Sequence, residues 1–375
     1  MNKTYKFRIY PNKKQTRELN QTLEICRMTY NDLLSKRIEY YKQTKKTLSC
    51  YEQQKYLSSQ KANYESMKSV YSQVLQNVAV RVDLAFKGFF RRLKAKSGKA
   101  GFPRFKQYER YDSITFPQNN GSFKFTNDEK IYLSKIGYVK IKKHREITGL
   151  VKTCDVKKTS TGKWFVSITC INVEKKHLEK TKKKIGIDLG LSEFATFSDN
   201  TRISNPKFFK KEEKLLAKSQ KNLSSLDKKT KKYKKQKKVV SRIHERISNK
   251  RNNFTHQESH KIIRNYDIVC VEDLNVNKMK GSGKFPKIGK LISDVAWREF
   301  ISKLVYKAEE ADKQVIQVNP AYTTQTCHKC QSRQKMSLSD RIFSCSVCGY
   351  KGCRDLNASK NILRLGLESL ATNIA

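Results

Sequence analysis

Acidic residues are scarce in this sequence of 375 residues: 34 Asp and Glu stand against 80 Lys and Arg, and the formal net charge is +46. A positive excess of this size calls for a polyanionic partner. Nucleic acid is the strongest candidate, because each neutralised phosphate releases counterions and adds affinity. An anionic membrane surface is the alternative. It is disfavoured because no segment is both long and strongly amphipathic with an aromatic anchor face.

Long apolar runs are also missing. No run approaches the 18 residues that a membrane-spanning helix needs, and the first residues contain no apolar signal region, so we expect neither export nor a membrane span. Four of the ten cysteines form a metal-binding pattern and the others lie in apolar contexts, which favours a reducing cytoplasm over a disulfide framework. Hydrophobic residues make up 37% of the chain, which excludes a disordered basic tail.

The period of the hydrophobic pattern changes along the first half of the chain. Residues 3–10 alternate as a half-buried strand does, and Pro11 ends it. Helical periodicity then predicts a small bundle over roughly residues 13–97, in which one helix carries the apolar positions from Met67 to Phe90. Short alternating stretches with Gly or Asn turns follow. We expect a β-barrel that the first strand begins, the bundle interrupts and residues 110–176 complete.

Strands alternate with helices in the second half, which predicts an α/β sheet. The predicted strands are KKIGIDLG, EFATFSD, NYDIVCVEDL and KQVIQVN, and the predicted helices are ISDVAWREFISKLVYKAEEA and RDLNASKNILRLGL. Between the predicted strands EFATFSD and NYDIVCVEDL, residues 207–251 hold 18 Lys and Arg against four acids. Apolar residues recur there every seven positions in two series, which predicts a helical hairpin with one packed seam and a basic outer face. The first series is Phe209, Leu216 and Leu223, and the second is Leu226, Tyr233, Val240 and Ile247. A solvated face is the alternative to phosphate contact.

The strongest local motif is a pair of C-x2-C knuckles. Cys327 and Cys330 form the first, Cys345 and Cys348 the second, and Gly349 suits a tight turn after it. Four thiolates at this spacing predict one tetrahedral Zn²⁺ with no open position, which makes the metal structural. His328 and Cys353 lie beside the knuckles, and we interpret both as bystanders.

Three carboxylates stand at the ends of predicted elements. Asp188 and Glu272 close two strands and Asp355 opens the last helix. Taken singly, they are read as a turn residue, a strand-end charge (Glu272 or Asp273) and a helix N-cap. Taken together, they would share the crevice at one edge of an α/β sheet. Three acids there repel one another unless cations bridge them, which predicts two Mg²⁺ ions for phosphodiester hydrolysis.

The sequence as a whole resembles a known family, the transposon-encoded TnpB proteins, which are relatives of type V CRISPR effector nucleases. The segments that carry the resemblance run in the family's order over nearly the whole chain: YKFRIYPNKKQTRELNQTLEICRMTYN, GFPRFK, GIDLGLSEFATFSDN, IVCVEDLNVNKM, ISDVAWREFISKLVYKA, TTQTCHKC with CSVCGY, and RDLNASKNIL. Two departures are small. Gln331 stands where many relatives have Gly, and Cys353 stands where another polar residue is common.

The resemblance implies a multidomain α+β protein. Its expected parts are a wedge β-barrel (1–12 and 110–180), a helical-bundle recognition domain inserted in it (13–109), a nuclease domain of the RuvC type with an RNase H-like fold (181–319 and 353–375) and an inserted zinc ribbon (320–352). It also implies that Asp188, Glu272 and Asp355 are catalytic and hold Mg²⁺.

The implied activity is RNA-guided cleavage of double-stranded DNA beside a short transposon-associated motif. The implied partners are a guide RNA from the transposon end, the target DNA and a separate transposase of the same element. The implied location is the prokaryotic cytoplasm, with the protein on the nucleoid when it is bound to DNA. Three alternatives stay open: a nuclease-inactive RNA-guided regulator, a pure binding module, and a transposase or its accessory protein.

Overall fold

The computed structural model describes residues 1–95, 100–108, 110–126, 129–274, 295–337 and 340–372. These residues form two compact units, Met1–Glu174 and Lys175–Ala375. Two sequence motifs fall partly outside the described residues: positions 275–279 of IVCVEDLNVNKM and positions 292–294 of the helix predicted from ISDVAWREF.

The first unit is built on seven antiparallel strands: β1 (Lys3–Tyr10), β2 (Ser113–Phe116), β3 (Phe123–Phe125), β4 (Lys130–Leu133), β5 (Gly137–Lys142), β6 (Leu150–Lys158) and β7 (Trp164–Ile171). Their order in the sheet is β2-β6-β7-β1-β5-β4-β3. The two edge strands, β2 and β3, approach each other: the rings of Phe116 on β2 and Phe123 on β3 lie 6.5 Å apart. The sheet is therefore nearly closed. The alternation predicted for β1 is confirmed, since Tyr5, Phe7 and Ile9 are all buried.

Four helices lie between β1 and β2 in the chain: α1 (Lys13–Thr44), α2 (Cys50–Asn63), α3 (Glu65–Lys68) and α4 (Ser72–Lys94). Asn12 caps α1 through a reciprocal pair of hydrogen bonds with Gln15. The single helix predicted to begin at Met67 is wrong. Tyr71 is extended, with φ −61° and ψ 133°, so the chain turns there and α4 begins at Ser72. Val70 is buried between the two helices without belonging to either.

The second unit holds a mixed five-stranded sheet, which confirms the predicted α/β character: β8 (Lys184–Leu189), β9 (Glu193–Phe197), β10 (Arg202–Ser204), β11 (Ile268–Glu272) and β12 (Gln314–Val318). The order is β10-β9-β8-β11-β12. The first two pairings are antiparallel, whereas β8 with β11 and β11 with β12 are parallel. The C-terminal ends of β8, β11 and β12 consequently lie at one edge of the sheet. A small hairpin, β13 (Ile342–Ser344) and β14 (Lys351–Cys353), stands apart from it.

The second unit also contains the helices α5 (Phe208–Ser224), α6 (Lys231–Asn265), α7 (Trp297–Glu310) and α8 (Arg354–Thr372). The first two form the predicted basic hairpin. Its seam is close to the one expected, with Leu216 packed against Val240 and Ile247, and it also takes in Ile243. Leu226 and Tyr233 lie outside that cluster and are half-buried. Within the described residues, no helix has the length and apolar character needed to cross a membrane.

Candidate active site and metal centre

The register of two parallel strands brings Asp188 and Glu272 to the same level of the sheet. Ile187 pairs with Val271, and the next residue on each strand is the carboxylate. Both strands are buried around these positions, because β8 and β11 lie in the interior of the sheet. Strand pairing thus places two residues 84 positions apart in the sequence on adjacent strands.

Asp355 reaches the same site because α8 crosses the sheet very closely. A Cβ atom on Gly186 would collide with the carbonyl oxygen of Ser359 and would lie 2.7 Å from the amide nitrogen of Leu363. One turn further along the chain from Leu363, Gly366 allows the same approach, since its Cβ would lie 2.8 Å from that of Cys270. Sequence reasoning missed both glycines. A glycine inside a buried strand and another inside a helix were the available signals.

Asp188 interacts electrostatically with each of the other two acids. Burial raises the pKa of Asp188 well above its usual range, and the negative charges of Glu272 and Asp355 raise it further, while Arg354 opposes the shift. Burial likewise raises the pKa of Glu272. Asp355 is the second residue of α8, so it lies inside the first helical turn, where the helix dipole favours a carboxylate. Its Oδ1 accepts two hydrogen bonds of 3.1 Å from the Arg354 guanidinium.

A buried hydroxyl fixes the carboxylate of Glu272. Thr323 Oγ1 donates a 2.6 Å hydrogen bond to Glu272 Oε1, and this bond lowers the glutamate's pKa against the larger effect of burial. The backbone carbonyl of Thr323 in turn accepts from the Asn361 amide on α8 at 3.0 Å. Neither Thr323 nor Asn361 was predicted as a site residue. The available signal was the polar segment TTQTC that leads into the first knuckle.

The residues present fit divalent cations. Oxygen ligands suit Mg²⁺, and two buried acids with raised pKa values gain stability when a cation offsets their charges. The oxygens of the three carboxylates do not, however, all lie within 4.8 Å of one another. Across the described ranges, the four cysteines are the only group of three or more metal-ligating side chains whose ligand atoms all lie within 4.8 Å of each other.

The cysteine cluster has the geometry of a structural zinc site. The Sγ atoms of Cys327 and Cys348 lie 3.6 Å apart, and those of Cys330 and Cys345 lie 3.5 Å apart. Tetrahedral zinc with bonds of about 2.3 Å would separate its sulfurs by roughly 3.8 Å. Hydrogen bonds from Ser332 and from the Cys348 amide lower the pKa of Cys345 to about 6. The cluster is therefore compatible with the predicted structural zinc.

The two neighbours of the knuckles lie outside this cluster, as expected. Cys353 is the last residue of β14, where it pairs with Ile342. His328 is held through Asn357: its backbone amide and its Nδ1 each lie 3.0 Å from Asn357 Oδ1. Its ring also meets the Tyr350 ring edge-on at 4.4 Å. His328 thus joins the first knuckle to α8.

Three family profiles match the chain. Residues 167–283 match a family described as "Probable transposase", and residues 297–362 match the "Cas12f1-like, TNB domain". Residues 1–46 match a profile described as "Helix-turn-helix domain". In this chain those 46 residues form β1 and the single long helix α1.

Individual relatives agree with the profiles. The chain is 31% identical over 382 residues to the "Putative RNA-guided DNA endonuclease InsQ" of Escherichia coli (strain K12), with 98% of this chain and 93% of that protein covered. It is 26% identical to the TnpB-like protein L79 of Acanthamoeba polyphaga mimivirus, over 62% of this chain and 46% of the relative. A solved structure of the mini-RNA-guided endonuclease CRISPR-Cas phi3 shares the fold, with a TM-score of 0.50, 12% identity, and 98% and 92% of the two chains covered.

Proposed function

Because the chain belongs to the TnpB family, we propose that it is an RNA-guided DNA endonuclease of a transposable element. The observation that supports this most directly is the convergence of Asp188, Glu272 and Asp355: two of them are buried, and the charges of Glu272 and Asp355 both raise the pKa of Asp188. A buried cluster of acids destabilises the fold unless bound cations offset its charge, and it stands out in a chain of net charge +46. Relatives whose names include RNA-guided DNA endonuclease match almost the whole length of the chain.

The proposal assigns a task to each part of the molecule. The nearly closed sheet is the wedge domain, and helices α1–α4 are the recognition domain. The five-stranded sheet supports an RNase H-like nuclease domain of the RuvC type, and the cysteine cluster is the zinc ribbon. The basic hairpin α5–α6 and the helical bundle grip the guide RNA and the heteroduplex backbone. Base pairing then selects the target sequence, and the protein reads a short flanking motif in double-stranded DNA.

Asp188, Glu272 and Asp355 would hold two Mg²⁺ ions. Bound there, the ions would supply an activated water and stabilise the leaving oxygen during phosphodiester hydrolysis. The chain's own residues prepare the site for this. The Thr323 hydroxyl fixes the orientation of Glu272, and Arg354 holds Asp355. The sheet interior keeps Asp188 away from water, which strengthens its electrostatic interaction with a cation.

The test uses the protein purified with the RNA that it carries in its host and a plasmid that bears the sequence matching that RNA. We expect linear plasmid in Mg²⁺, and at least about a 10³-fold loss of rate for Asp188→Ala or in excess EDTA. Glu213→Ala, which removes an exposed carboxylate from α5, is the matched control and should cut at the parental rate. Cutting by Asp188→Ala would refute the site. Target binding without cutting by the parental protein would favour the nuclease-inactive regulator.

A further inference from the structure

The first unit carries exposed aromatic side chains at one end of α4 and on the segment 100–108 that follows it. Phe90, Phe102, Phe105 and Tyr108, called here the aromatic platform, are 55%, 48%, 55% and 73% exposed. The rings of Phe90 and Phe102 both contact Phe89, at 5.2 and 5.3 Å. Solvent-facing aromatic rings are costly in water, so a group of them marks a surface that binds something.

The backbone that presents these rings is held in place. The Lys106 carbonyl accepts hydrogen bonds from Arg27 and Asn31 on α1, at 2.9 and 3.0 Å, and the Lys106 amide donates to Asn31 Oδ1 at 2.7 Å. Arg92 on α4 donates to the carbonyl of Gly101 at 3.1 Å. The segment therefore has both ends of its described part fastened to helices while Phe105 faces water. A fixed backbone lowers the conformational entropy that the protein would lose on binding a ligand.

The sequence that carries the platform is strongly basic, although Arg27, which contacts Lys106, is paired with Glu24 at 2.6 Å. From Leu84 to Tyr108 the sequence contains eight Lys and Arg and no acidic residue. Three of the basic residues, Arg91, Arg92 and Lys94, occupy the last turn of α4, and Arg104 and Lys106 alternate with the exposed rings. Such a surface is complementary to a polyanion that also offers flat apolar faces. Duplex nucleic acid does not offer them, because its bases are stacked on one another.

We propose that the aromatic platform binds single-stranded nucleic acid, with unpaired bases stacked on the rings and the neighbouring Arg and Lys at the phosphates. Base–aromatic stacking tolerates any sequence, because every base has a π-face. The inference deepens the proposed function by naming the state of the strand that this surface takes. It rests on residues of the first unit and not on the carboxylates, so it can fail while the endonuclease proposal stands.

The experiment measures binding of the full-length protein to fluorescein-labelled 12-nucleotide oligothymidine and oligouridine in EDTA, where Mg²⁺-dependent cutting cannot contribute. Phe105→Ala with Tyr108→Ala should weaken binding about 10- to 100-fold, and this loss should persist at every salt concentration. Phe105→Trp with Tyr108→Trp should retain affinity because the rings remain. Arg104→Gln should instead reduce the salt dependence of binding. Tyr51→Ala, which removes an equally exposed ring from α2, is the matched control.

Three outcomes would overturn the proposal. One is unchanged single-strand affinity in the double alanine variant. Another is an equal loss in a control: with Tyr51→Ala it would show that binding is not located at the platform, and with a duplex of the same length it would show no preference for unpaired bases. The third is a concentration-dependent dimer, detected by sedimentation, that the double alanine variant dissociates. The platform would then be an interface between two copies of the chain. If the double alanine variant loses more affinity for oligothymidine, the single strand is DNA, and if it loses more for oligouridine, the strand is RNA.

Discussion

The second unit holds two sets of candidate metal ligands that are assembled in opposite ways. Each C-x2-C knuckle supplies two cysteines separated by two residues, and the two knuckles meet with sulfurs 3.5 and 3.6 Å apart. The three carboxylates come from positions 188, 272 and 355, and they meet only when β8, β11 and α8 are packed together. The first set is built by local turns and the second by the tertiary fold.

This difference predicts which set depends on its metal. The segment that carries the four cysteines and the β13–β14 hairpin has only a small core of its own, formed by Cys327, Phe343 and Cys345, so we expect its structure to depend on zinc. The carboxylates are held by a large sheet that forms without them, and burial of their charges works against folding. Zinc should therefore stabilise its site by creating structure, whereas magnesium should stabilise its site by relieving repulsion.

Zinc removal should have the largest effect on stability. Chelation, or Cys345→Ser, should unfold the β13–β14 hairpin, since structural zinc contributes on the order of 10 kcal/mol in small zinc modules. Hydrogen exchange of the hairpin amides, together with zinc content, measures the change. Cys353→Ser is the matched control because Cys353 lies just outside the cluster. Full zinc retention by Cys345→Ser would contradict the site, as would zinc loss from Cys353→Ser.

The same distinction explains how much the sequence could predict. The four candidate zinc ligands could be predicted from spacing alone, because two residues between cysteines suffice to form a knuckle. The carboxylates could be proposed from strand ends, but nothing in their spacing brings them together. Gly186 and Thr323 were missed because their roles depend on partners about 170 and 50 residues away, Ser359 and Glu272.

The helical bundle shows a different limit. Helix α2 was not predicted individually because it buries only Gln53 and Leu57, which is too little to produce a periodic pattern. The predicted helix through Met67 was wrong for the opposite reason. Its apolar residues continue the spacing of α4 while the backbone turns at Tyr71. Periodicity reports which residues are buried, and it cannot show where the chain changes direction between two buried residues.

Asp188→Asn should stabilise the metal-free protein at pH 7 by on the order of 2 kcal/mol, because it removes a buried charge. The folded pKa of Asp188 lies above its unfolded value, so the folded state binds the proton more tightly. The parental protein in EDTA should therefore lose stability as the pH rises from about 4 through that folded pKa, and Asp188→Asn should lose less. Thermal melts across pH in EDTA measure both effects.

Exposed Glu213→Gln on α5 is the control for Asp188→Asn, and its melts should follow those of the parental protein. In Mg²⁺ the parental protein should instead melt at a higher temperature than Asp188→Asn, since only the carboxylate of Asp188 can bind the ion. A lower melting temperature for Asp188→Asn in EDTA would mean that the acid stabilises the fold without metal. The contrast drawn with the cysteine cluster would then be lost.

Thr323→Val should reduce the rate of DNA cutting about tenfold and leave target binding unchanged, because it removes the hydroxyl that orients Glu272. The hydrogen bond from Thr323 also lowers the pKa of Glu272, so its loss should move the rising limb of the pH–rate profile to higher pH. Thr323→Ser keeps the hydroxyl and should restore most of the rate. If the valine and serine variants cut equally well, Thr323 serves packing alone.

The smallest expected effect is on the stability of the two knuckles, which differ in one turn residue. The amide of Gln331 donates to the Cys327 carbonyl at 3.0 Å, and the amide of Gly349 donates to the Cys345 carbonyl at 3.1 Å. Both residues have left-handed backbones, with φ of 62° and 70°, so only the second knuckle has the residue that this conformation favours.

Gln331→Gly should therefore stabilise the metal-bound ribbon by about 1 kcal/mol, and Gly349→Gln should destabilise it by a similar amount. The chelator concentration that removes half of the zinc reports both changes. The double variant should return to the parental value, because the two turns are equivalent. If Gln331→Gly instead released zinc more readily, the Gln331 side chain would be supporting the first knuckle, and the two halves of the ribbon would differ in more than their turn residue.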